Sequence, residues 1–433
     1  MDFFPTPCTD YRCPICGTEL RSIGCAVTGM HNLAQLECPS CERAFWGEMR
    51  AAYGLFYPAL VDCPVGSSFD NFPKNHWFLD SLRNASEHHG SVGFRSEQLT
   101  PAQGRTWALL NTLDMCYGHS VLKLLSAEHY LRKPDIALIV LVQPQLRWLV
   151  PDGVARVWTA EIPFKQAPEW WISLAQKVGM ELATMGKVQL CPSMPQPAPD
   201  TYHIENFTRV APFPLEDWEP LLQRPKVTFV WRSDRFHKPF LPPSFGKRPL
   251  RTLWRFFPHV PGMLELRRQE QWIACLAEHL RRRIPNLDFA VGGMGESGGH
   301  FADWIKDLRV TKHDDNSARA LCQRYAQSHL VVGCNGSSLL LPSAHAGATL
   351  NLAPKDWWAV CFNSFAYRGQ ENEDRSFRYT VLPGSLPVDA VANVIYSILF
   401  ERRKYLVHHC QPWNQQDYAG DPANWDEYPG LIS

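Results

Sequence analysis

Two rhythms of apolar and polar positions alternate along the chain from about Phe69 onward. "TWALLNTLDMCYG" has the apolar run of a strand that enters a turn at Gly118, and "DIALIVLVQ" is the branched, uninterrupted run of a buried strand. Between them, "HSVLKLLSAEHYLRKP" carries apolar residues at 121, 122, 124, 125 and 131, which approximates one helical face, and Pro134 follows its end. "EWWISLAQKVGMELATMG" predicts a further helix that stops at Gly186. The Pro-rich stretch "CPSMPQPAPDTYHIENFTRVAPFPLEDWEPLLQRP" reads as a connection, after which the alternation starts again. Strands are predicted at "KVTFVW", "LDFAVGG", "HLVVGC" and "ATLNLAP". Helices are predicted at "QEQWIACLAEHLRRRIP", "SARALCQRYAQ", the short "SSLLLPSAHAG" and the C-terminal "PVDAVANVIYSILFERRKYL". Strand–helix alternation of this kind predicts parallel sheets, so the expected fold class is α/β with two Rossmann-like lobes and a cleft between them. Ligands of such sheets sit at the carboxyl ends of the strands, which directs attention to the turns.

The segment ahead of this alternation is built differently. In "CPICGTELRSIGCAVTGMHNLAQLECPSC", the pairs Cys13–Cys16 and Cys38–Cys41 form two C-x-x-C knuckles with 21 residues between them. Two such knuckles can turn four thiolates onto one tetrahedral zinc ion, and a site closed by four cysteines has no open position for substrate. The expectation is a structural zinc ribbon. Pro14 and Pro39 stiffen the knuckles, and Gly17 suits the positive φ of such a turn, whereas Glu42 stands at the matching place in the second knuckle. Cys8, Cys25 and His31 are further ligand candidates without a matched partner. The domains expected are 1–62 for the ribbon and linker, 63–220 for the first lobe and 221–433 for the second lobe with its C-terminal helix.

Composition narrows the classes. With 433 residues, 45% of them hydrophobic, the chain can bury a large core, and its 43 basic and 43 acidic residues balance to a net charge of zero. A zero balance argues against a protein bound to the nucleic-acid backbone. "MDFFPTPCTDYRCP" lacks the basic start and apolar centre of a signal peptide. The most apolar stretch, "IALIVLVQPQLRWLV", is interrupted by Gln143, Pro144, Gln145 and Arg147, so no membrane span is expected and a soluble cytoplasmic protein is. Six of the 14 cysteines precede residue 42, and the scattered remainder read as small buried hydrophobes.

Three strand-end turns could carry chemistry. In "VVGCNGSSLLLPSAHAGATLNL", Asn335-Gly336-Ser337-Ser338 separates two apolar runs. Ser337 or Ser338 can cap a helix beginning near Leu339, with Pro342 tolerated in its first turn, and such a helix start favours a diphosphate. A capped helix without any ligand fits the same residues. In "VWRSDR", Arg232 emerges at a strand end with Asp234 and Arg235 beside it. A guanidinium there can neutralise a diphosphate through paired hydrogen bonds, or join a surface ion pair with Asp234. In "CYGHS", His119 follows Gly118 and is either a base or a helix cap. Weaker features are the glycine-rich "GGMGESGG", read as a flexible loop, and Arg281–Arg283, which complement a helix dipole. His313, Asp314 and Asp315 either meet a nucleotide or cap the next helix.

An arginine turn "WRSDR" followed about a hundred residues later by "VVGCNGSSLLLPSAHAGATLNL" resembles glycosyltransferases of the GT-B type, most nearly family 61-like enzymes and more distantly the fucosyltransferase group. The resemblance covers chiefly residues 227–352. It implies a GT-B-like pair of lobes, with the acceptor on the first and the nucleotide sugar on the second. It further implies that Arg232 binds the donor diphosphate, that Gly336, Ser337 and Ser338 line the nucleotide-sugar pocket, and that catalysis needs no metal; Asn335, Arg235 and Asp315 in or beside these turns are further nucleotide-binding candidates. In this family pattern a histidine is usual where Asn335 stands, an alanine where Ser337 stands and an acidic residue where Asn351 stands. The N-terminal ribbon lies outside the pattern.

The function expected is therefore transfer of a sugar from a nucleotide-diphosphate sugar to the hydroxyl of a glycan, protein or small molecule. His119 or Asp114 would act as the base and Arg232 would stabilise the leaving diphosphate. The competing class is a non-catalytic scaffold whose zinc ribbon recruits a protein or nucleic-acid partner.

Overall fold

A computed structural model describes residues 2–4, 11–51, 54, 59–63, 68–69, 90–102, 104–193, 202–233, 260–295, 299–312, 314–354 and 377–402. Strand β1 (Asp2–Phe4) precedes the ribbon, whose strands are β2 (Arg21–Val27), β3 (Asn32–Glu37), β4 (Ala44–Glu48), β5 (Leu60–Cys63) and β6 (Ser68–Phe69). These five form an antiparallel meander in chain order.

The first lobe continues with β7 (Phe94–Gln98), β8 (Thr106–Asn111), helices α1 (Tyr117–Leu125) and α2 (Ala127–Leu131), β9 (Ile136–Val142), β10 (Arg156–Ala160), α3 (Ile172–Ala183) and β11 (Lys187–Leu190). Its six-stranded sheet has the order β1-β11-β8-β9-β10-β7. Every pair is parallel except β10 with the edge strand β7. The first strand of the chain thus belongs to this sheet and not to the ribbon.

Short helices α4 (Ile204–Thr208) and α5 (Trp218–Leu221) lead into the second lobe. There the order of elements is β12 (Lys226–Arg232), α6 (Val260–Arg283), β13 (Asp288–Met294), β14 (Lys306–Val310), α7 (Asp315–Ala326), β15 (Leu330–Gly333), α8 (Leu340–His345), β16 (Ala348–Ala353), β17 (Tyr379–Pro383) and α9 (Val388–Phe400). All six strands are parallel in the order β14-β13-β12-β15-β16-β17. Chain direction across the sheet reverses between β12 and β15, the switch point at which an open α/β sheet leaves a crevice for ligand. The α/β expectation of two parallel-sheet lobes behind a small ribbon describes this architecture.

Strand β9 shows why the hydrophobic run was continuous. All seven of its residues are buried. Ile139 and Leu141 face a core that includes Val27, Leu33 and Phe45 of the ribbon and Leu174 and Val178 of α3. Leu138, Val140 and Val142 face the opposite core, made with Val121, Leu122 and Leu125 of α1. Successive side chains point to opposite faces, and each apolar one contributes about 1.5–3 kcal/mol by leaving water. The ribbon thus takes part of the covering layer that helices usually supply to such a sheet.

The second of these cores does not stop at the first lobe. Ala318 and Cys322 of α7 and Leu340 and Ala344 of α8 belong to it, so apolar packing runs from one lobe into the other. A third core, with Phe229, Phe289, Ile273, Leu276 and Ile395, lies within the second lobe, where α6 packs on α9.

Differences from the sequence reading have local causes. The helix expected from His119 onward is broken at Ser126 into α1 and α2. At the glycine-rich stretch, Gly292 and Gly293 lie in strand β13 as the run "LDFAVGG" predicts, and the strand reaches one residue further, to Met294. Gly293 has φ +140°, and a side chain there would meet the backbone oxygen of Trp231 at 2.3 Å, so glycine is what lets β13 lie this close to β12. Strands β7 and β14 are edge strands with mostly polar, solvent-facing residues, which leave no apolar run to read. The arginine triplet closes α6 as expected and rests on rings, Arg281 over Trp304 at 4.6 Å and Arg283 over Tyr396 at 4.1 Å. Among the described residues, no helix is long and apolar enough to cross a membrane.

The lobes meet at Gly118, where an added Cβ would lie 2.4 Å from the Cβ of Ser337 and 2.8 Å from Cδ1 of Leu340. Gly118→Ala is therefore expected to cost about 1–3 kcal/mol through overpacking, measured as a lower urea midpoint. Gly179→Ala on α3, where nothing lies within 4 Å, is expected to raise stability by about 0.5–1 kcal/mol. Equal midpoints for Gly118→Ala and the unaltered protein would contradict this contact between lobes.

Candidate functional site

The two cysteine knuckles fold alike. In the first, Gly17 N donates to Cys13 O at 2.8 Å and Cys13 N to Thr18 O at 2.7 Å, with Gly17 at φ +75°. In the second, Glu42 N donates to Cys38 O at 2.9 Å and Cys38 N to Arg43 O at 2.8 Å, with Glu42 at φ +58°. Glu42 accordingly adopts the left-handed conformation that glycine takes in the first turn, so its departure from the usual residue leaves the geometry intact. The ligand atoms of Cys13, Cys16, Cys38 and Cys41 all lie within 4.8 Å of one another. Cys13 Sγ is 3.6 Å from Cys41 Sγ, and Cys16 Sγ is 3.4 Å from Cys38 Sγ. Sulfur atoms about 2.3 Å from one tetrahedral ion stand about 3.8 Å apart, so the four fit a metal after a small adjustment. Hydrogen bonding with the Thr18 side chain, then with its backbone, pulls the Cys16 thiol down to about 6, whereas at Cys41 the lowering by the Arg43 backbone is outweighed by the Cys38 thiol and burial, which push it up to about 12. His31 is not a fifth ligand. Its Nδ1 lies 3.1 Å from Glu48 Oε2, and both side chains are buried. Burial pushes the Cys25 thiol up to about 12, and Cys8 lies outside the described residues.

At the carboxyl end of β8 the chain buries charge. Asp114 and Lys123 have fully buried side chains, with Lys123 Nζ 2.8 Å from Asp114 Oδ2 and donating to Leu113 O at 2.9 Å. Cys116 N donates to Asp114 Oδ1 at 3.1 Å, which shapes the turn into α1. From the end of β9, Gln143 Nε2 donates to Asp114 O at 2.8 Å, while Ser120 Oγ donates to Gln143 Oε1 at 3.1 Å. His119 stands in the first turn of α1, 40% exposed, with Nδ1 3.4 Å from Asp114 Oδ1. The residue at the cap position is Cys116, so His119 is not the cap. Burial alone would push the Asp114 carboxyl up, but the Lys123 charge and the His119 contact outweigh it and hold Asp114 down at about 2. A carboxylate that acidic is a weak proton acceptor and a good partner for an imidazolium. His119 has the exposure and the partner that a general base needs.

Lys123, Gln143 and Asn111 were not legible as site residues. A signal existed in "HSVLKLL", where a lysine lies within the apolar face and four residues after the histidine. The same face of α1 therefore presents both cations to Asp114.

In the second lobe, β12 and β15 are paired with Val230 opposite Gly333, so Arg232 and the Cys334–Gly336 turn leave adjacent strands at the switch point. Gln269 Nε2 reaches Arg232 O at 3.5 Å. Asn335 is buried, and Gly336 at φ +118° begins a tight 3₁₀ turn, Ser337–Leu339, that runs into α8. No side-chain cap is made, so the expected serine cap is replaced by the Gly336 turn, whose carbonyl accepts from Leu339 N at 3.0 Å. Ser337 and Ser338 are half-buried, and Ser337 is the residue that abuts Gly118. The turn carrying His119 and the turn carrying Asn335–Ser338 are thereby neighbours across the two lobes. Asp315 begins α7 in an exposed position, while Asp314 caps that helix by accepting from Ser317 N at 2.9 Å. Asn351 Nδ2 donates to Tyr379 OH at 3.0 Å inside the sheet. Arg235, Asp234 and His313 lie outside the described residues.

Among solved structures, the chain is similar to the ADP-heptose LPS heptosyltransferase II of E. coli, at 10% identity and a TM-score of 0.38, over 69% of this chain and 99% of that one. It is similar at the same identity and TM-score to a glycosyl transferase family 9 structure from Veillonella parvula, over 72% of this chain and all of the other. No family model and no curated protein matches the sequence.

Two outcomes follow from the site's geometry. Purified protein is expected to hold one zinc ion per chain by elemental analysis and to lose it when Cys38 and Cys41 are both changed to serine. Asp114 lies below its ordinary value of 3.8 in the folded chain, so its stabilising contribution is complete above that value and is lost as pH falls toward 2. Urea midpoints taken from about pH 6 to pH 2 should fall more steeply for the unaltered protein than for Asp114→Asn/Lys123→Met, which removes both charges together.

Proposed function

We propose that this chain is a glycosyltransferase that moves a sugar from a nucleotide-diphosphate donor to an acceptor hydroxyl. The observation that carries the reading is the meeting of two strand-end turns, with Gly118 of one lobe against Ser337 of the other. A buried carboxylate with its half-exposed histidine thereby adjoins the switch point of a parallel sheet from which an arginine emerges. The likeness of "WRSDR" and "VVGCNGSSLLLPSAHAGATLNL" to family 61-like enzymes supports the same assignment of lobes, with the donor on the second.

In this mechanism the acceptor oxygen attacks the anomeric carbon while the bond to the diphosphate breaks. His119 takes the acceptor's proton on Nε2, and Asp114 stabilises the resulting imidazolium through Nδ1. Lys123 keeps Asp114 ionised and fixed. Negative charge that develops on the leaving diphosphate is met by the Arg232 guanidinium and by backbone amides of the Gly336–Ser338 turn, which are oriented before the reaction begins. These groups take the part that a divalent cation plays in metal-dependent transferases. Asn335 shapes the nucleotide pocket, and Asp315 extends it. The four-cysteine site takes no part in the chemistry and holds the ribbon together as a structural zinc site.

A thermal-shift screen against UDP, GDP, CMP and dTDP sugars identifies the donor, because a ligand bound to the native state raises the apparent melting temperature. For that donor, Arg232→Ala is expected to weaken binding by about 1.5–3 kcal/mol in calorimetry, and Arg232→Lys to restore little of it. His119→Ala is expected to lower turnover by about 10²–10⁴-fold while leaving nucleotide affinity near that of the unaltered protein. A folded Arg232→Ala protein that binds its nucleotide unchanged would overturn the donor assignment.

A further inference from the structure

Among the described residues, the ribbon meets the first lobe through polar contacts at the end of β2 and the start of β3, set beside an apolar seam. Asn111, the last residue of β8, is buried, and its side-chain amide is engaged on every side. Nδ2 donates to Gly29 O and to Asn32 Oδ1, each at 3.0 Å, and Oδ1 accepts from Leu113 N at 3.1 Å. Gly29 lies in the ribbon turn between β2 and β3, Asn32 opens β3, and Leu113 is the residue before Asp114. One side chain thus ties the ribbon to the backbone of the acid–histidine turn.

The ribbon turn is itself held from both sides. Asn32 N donates to Glu48 Oε1 at 3.2 Å, Met49 N to Asn32 O at 2.7 Å and Met30 N to Ala167 O at 2.8 Å. Gly29 sits at φ +88°, where a side chain would meet Ala167 O at 2.3 Å, so the turn and the lobe are at closest approach. Strand β3 begins at Asn32 and ends at Glu37, immediately before the metal-site residue Cys38. Tyr11, two residues before Cys13, donates its hydroxyl to Glu48 O at 3.1 Å. The second knuckle therefore joins the far ends of β3 and β4, whose near ends carry Asn32 and Glu48, and metal would tie the first knuckle to it.

We infer that the ribbon is the positioning element of the Asp114–His119 pair, with Asn32 and Asn111 as positioning residues that act through Leu113 and with metal in the four-cysteine site as the condition for that grip. This inference rests on the proposed role of His119, but the ribbon's hold on the turn is measurable without any substrate. The metal supplies only the cross-link between the knuckles. The remainder is done by the chain's own amides.

The test is amide hydrogen exchange on the full chain, compared for the zinc-loaded protein, the same protein after chelation, and zinc-loaded Asn111→Asp. That substitution keeps size and the acceptor for Leu113 N but turns the donor face into an acceptor facing Gly29 O and Asn32 Oδ1. Peptides spanning 111–120 are expected to exchange at least about tenfold faster in both altered states, while peptides of β12, β13 and β15 keep their rates. Nuclear magnetic resonance of the His119 ring supplies the second reading. Its nitrogen signal should shift in Asn111→Asp and stay in place in Val291→Ala, a core truncation of the second lobe that destabilises without touching the turn. Should Asn111→Asp fail to fold, Asn32→Ala removes one acceptor from the ribbon side and is read in the same way.

Continued protection of 111–120 after the ribbon has lost its zinc and begun to exchange would overturn the inference, as would an unmoved His119 signal in a folded variant. Release of the turn combined with normal sugar transfer by His119→Ala would instead overturn the catalytic role and leave the ribbon's grip standing.

Discussion

Asp114 and Lys123 are both fully buried at 2.8 Å, and moving two charges out of water costs several kcal/mol each unless every remaining polar contact is supplied. Here the contacts come from two stretches of chain, the turn from β8 into α1 and the end of β9. Leu113 offers a carbonyl to Lys123, Cys116 an amide to Asp114, Gln143 an amide to the Asp114 carbonyl, and His119 its ring to the carboxylate. Strands β8 and β9 and helix α1 must therefore stand in one arrangement for the pair to be tolerated. A pair of this kind adds little net stability, but loss of either partner would strand the other charge. Its consequence is that a half-exposed histidine at the boundary of the two lobes is held against a carboxylate that stays ionised.

The ribbon looks at first like an appendage, and its packing argues otherwise. Val27, Leu33 and Phe45 share a core with Leu109, Ile139 and Trp158 of the first lobe, and Trp46 stacks edge-on against Trp170 at 5.4 Å. Part of one face of the central sheet would be open to water without it. A closed four-cysteine site is well suited to that task, because a small antiparallel sheet has too little core to hold its own shape. The partner of this ribbon, in the described structure, is its own chain.

Continuity of the apolar core across Leu110, Val121, Cys322 and Leu340 bears on how the lobes can move. Burial pushes the Cys322 thiol up to about 12 and raises the neighbouring tyrosines Tyr117 and Tyr325 as well. Opening this seam would expose apolar side chains, which opposes separation of the lobes, while His119 and Ser338 at its rim stay partly exposed.

The sequence alone determined what depends on neighbours a few residues apart. Two C-x-x-C knuckles, the apolar runs of β9, β12 and β15 and the amphipathic face of α1 all follow from local spacing, and each was legible with its chemistry. Histidine and aspartate in "LDMCYGHS" were visible as candidates for the same reason. Tertiary structure decided what depends on residues far apart in the chain. Asn111 meets Asn32 across 79 positions, and Gly118 meets Ser337 from the other lobe. Strand order, which sets the switch point beside Arg232, is likewise a choice among many pairings of similar strands. A lysine among leucines reads locally as a solvated interruption of an apolar face. Only the folded chain brings a carboxylate to it, because the energy that keeps a buried charge in place lies in groups that sequence spacing does not connect.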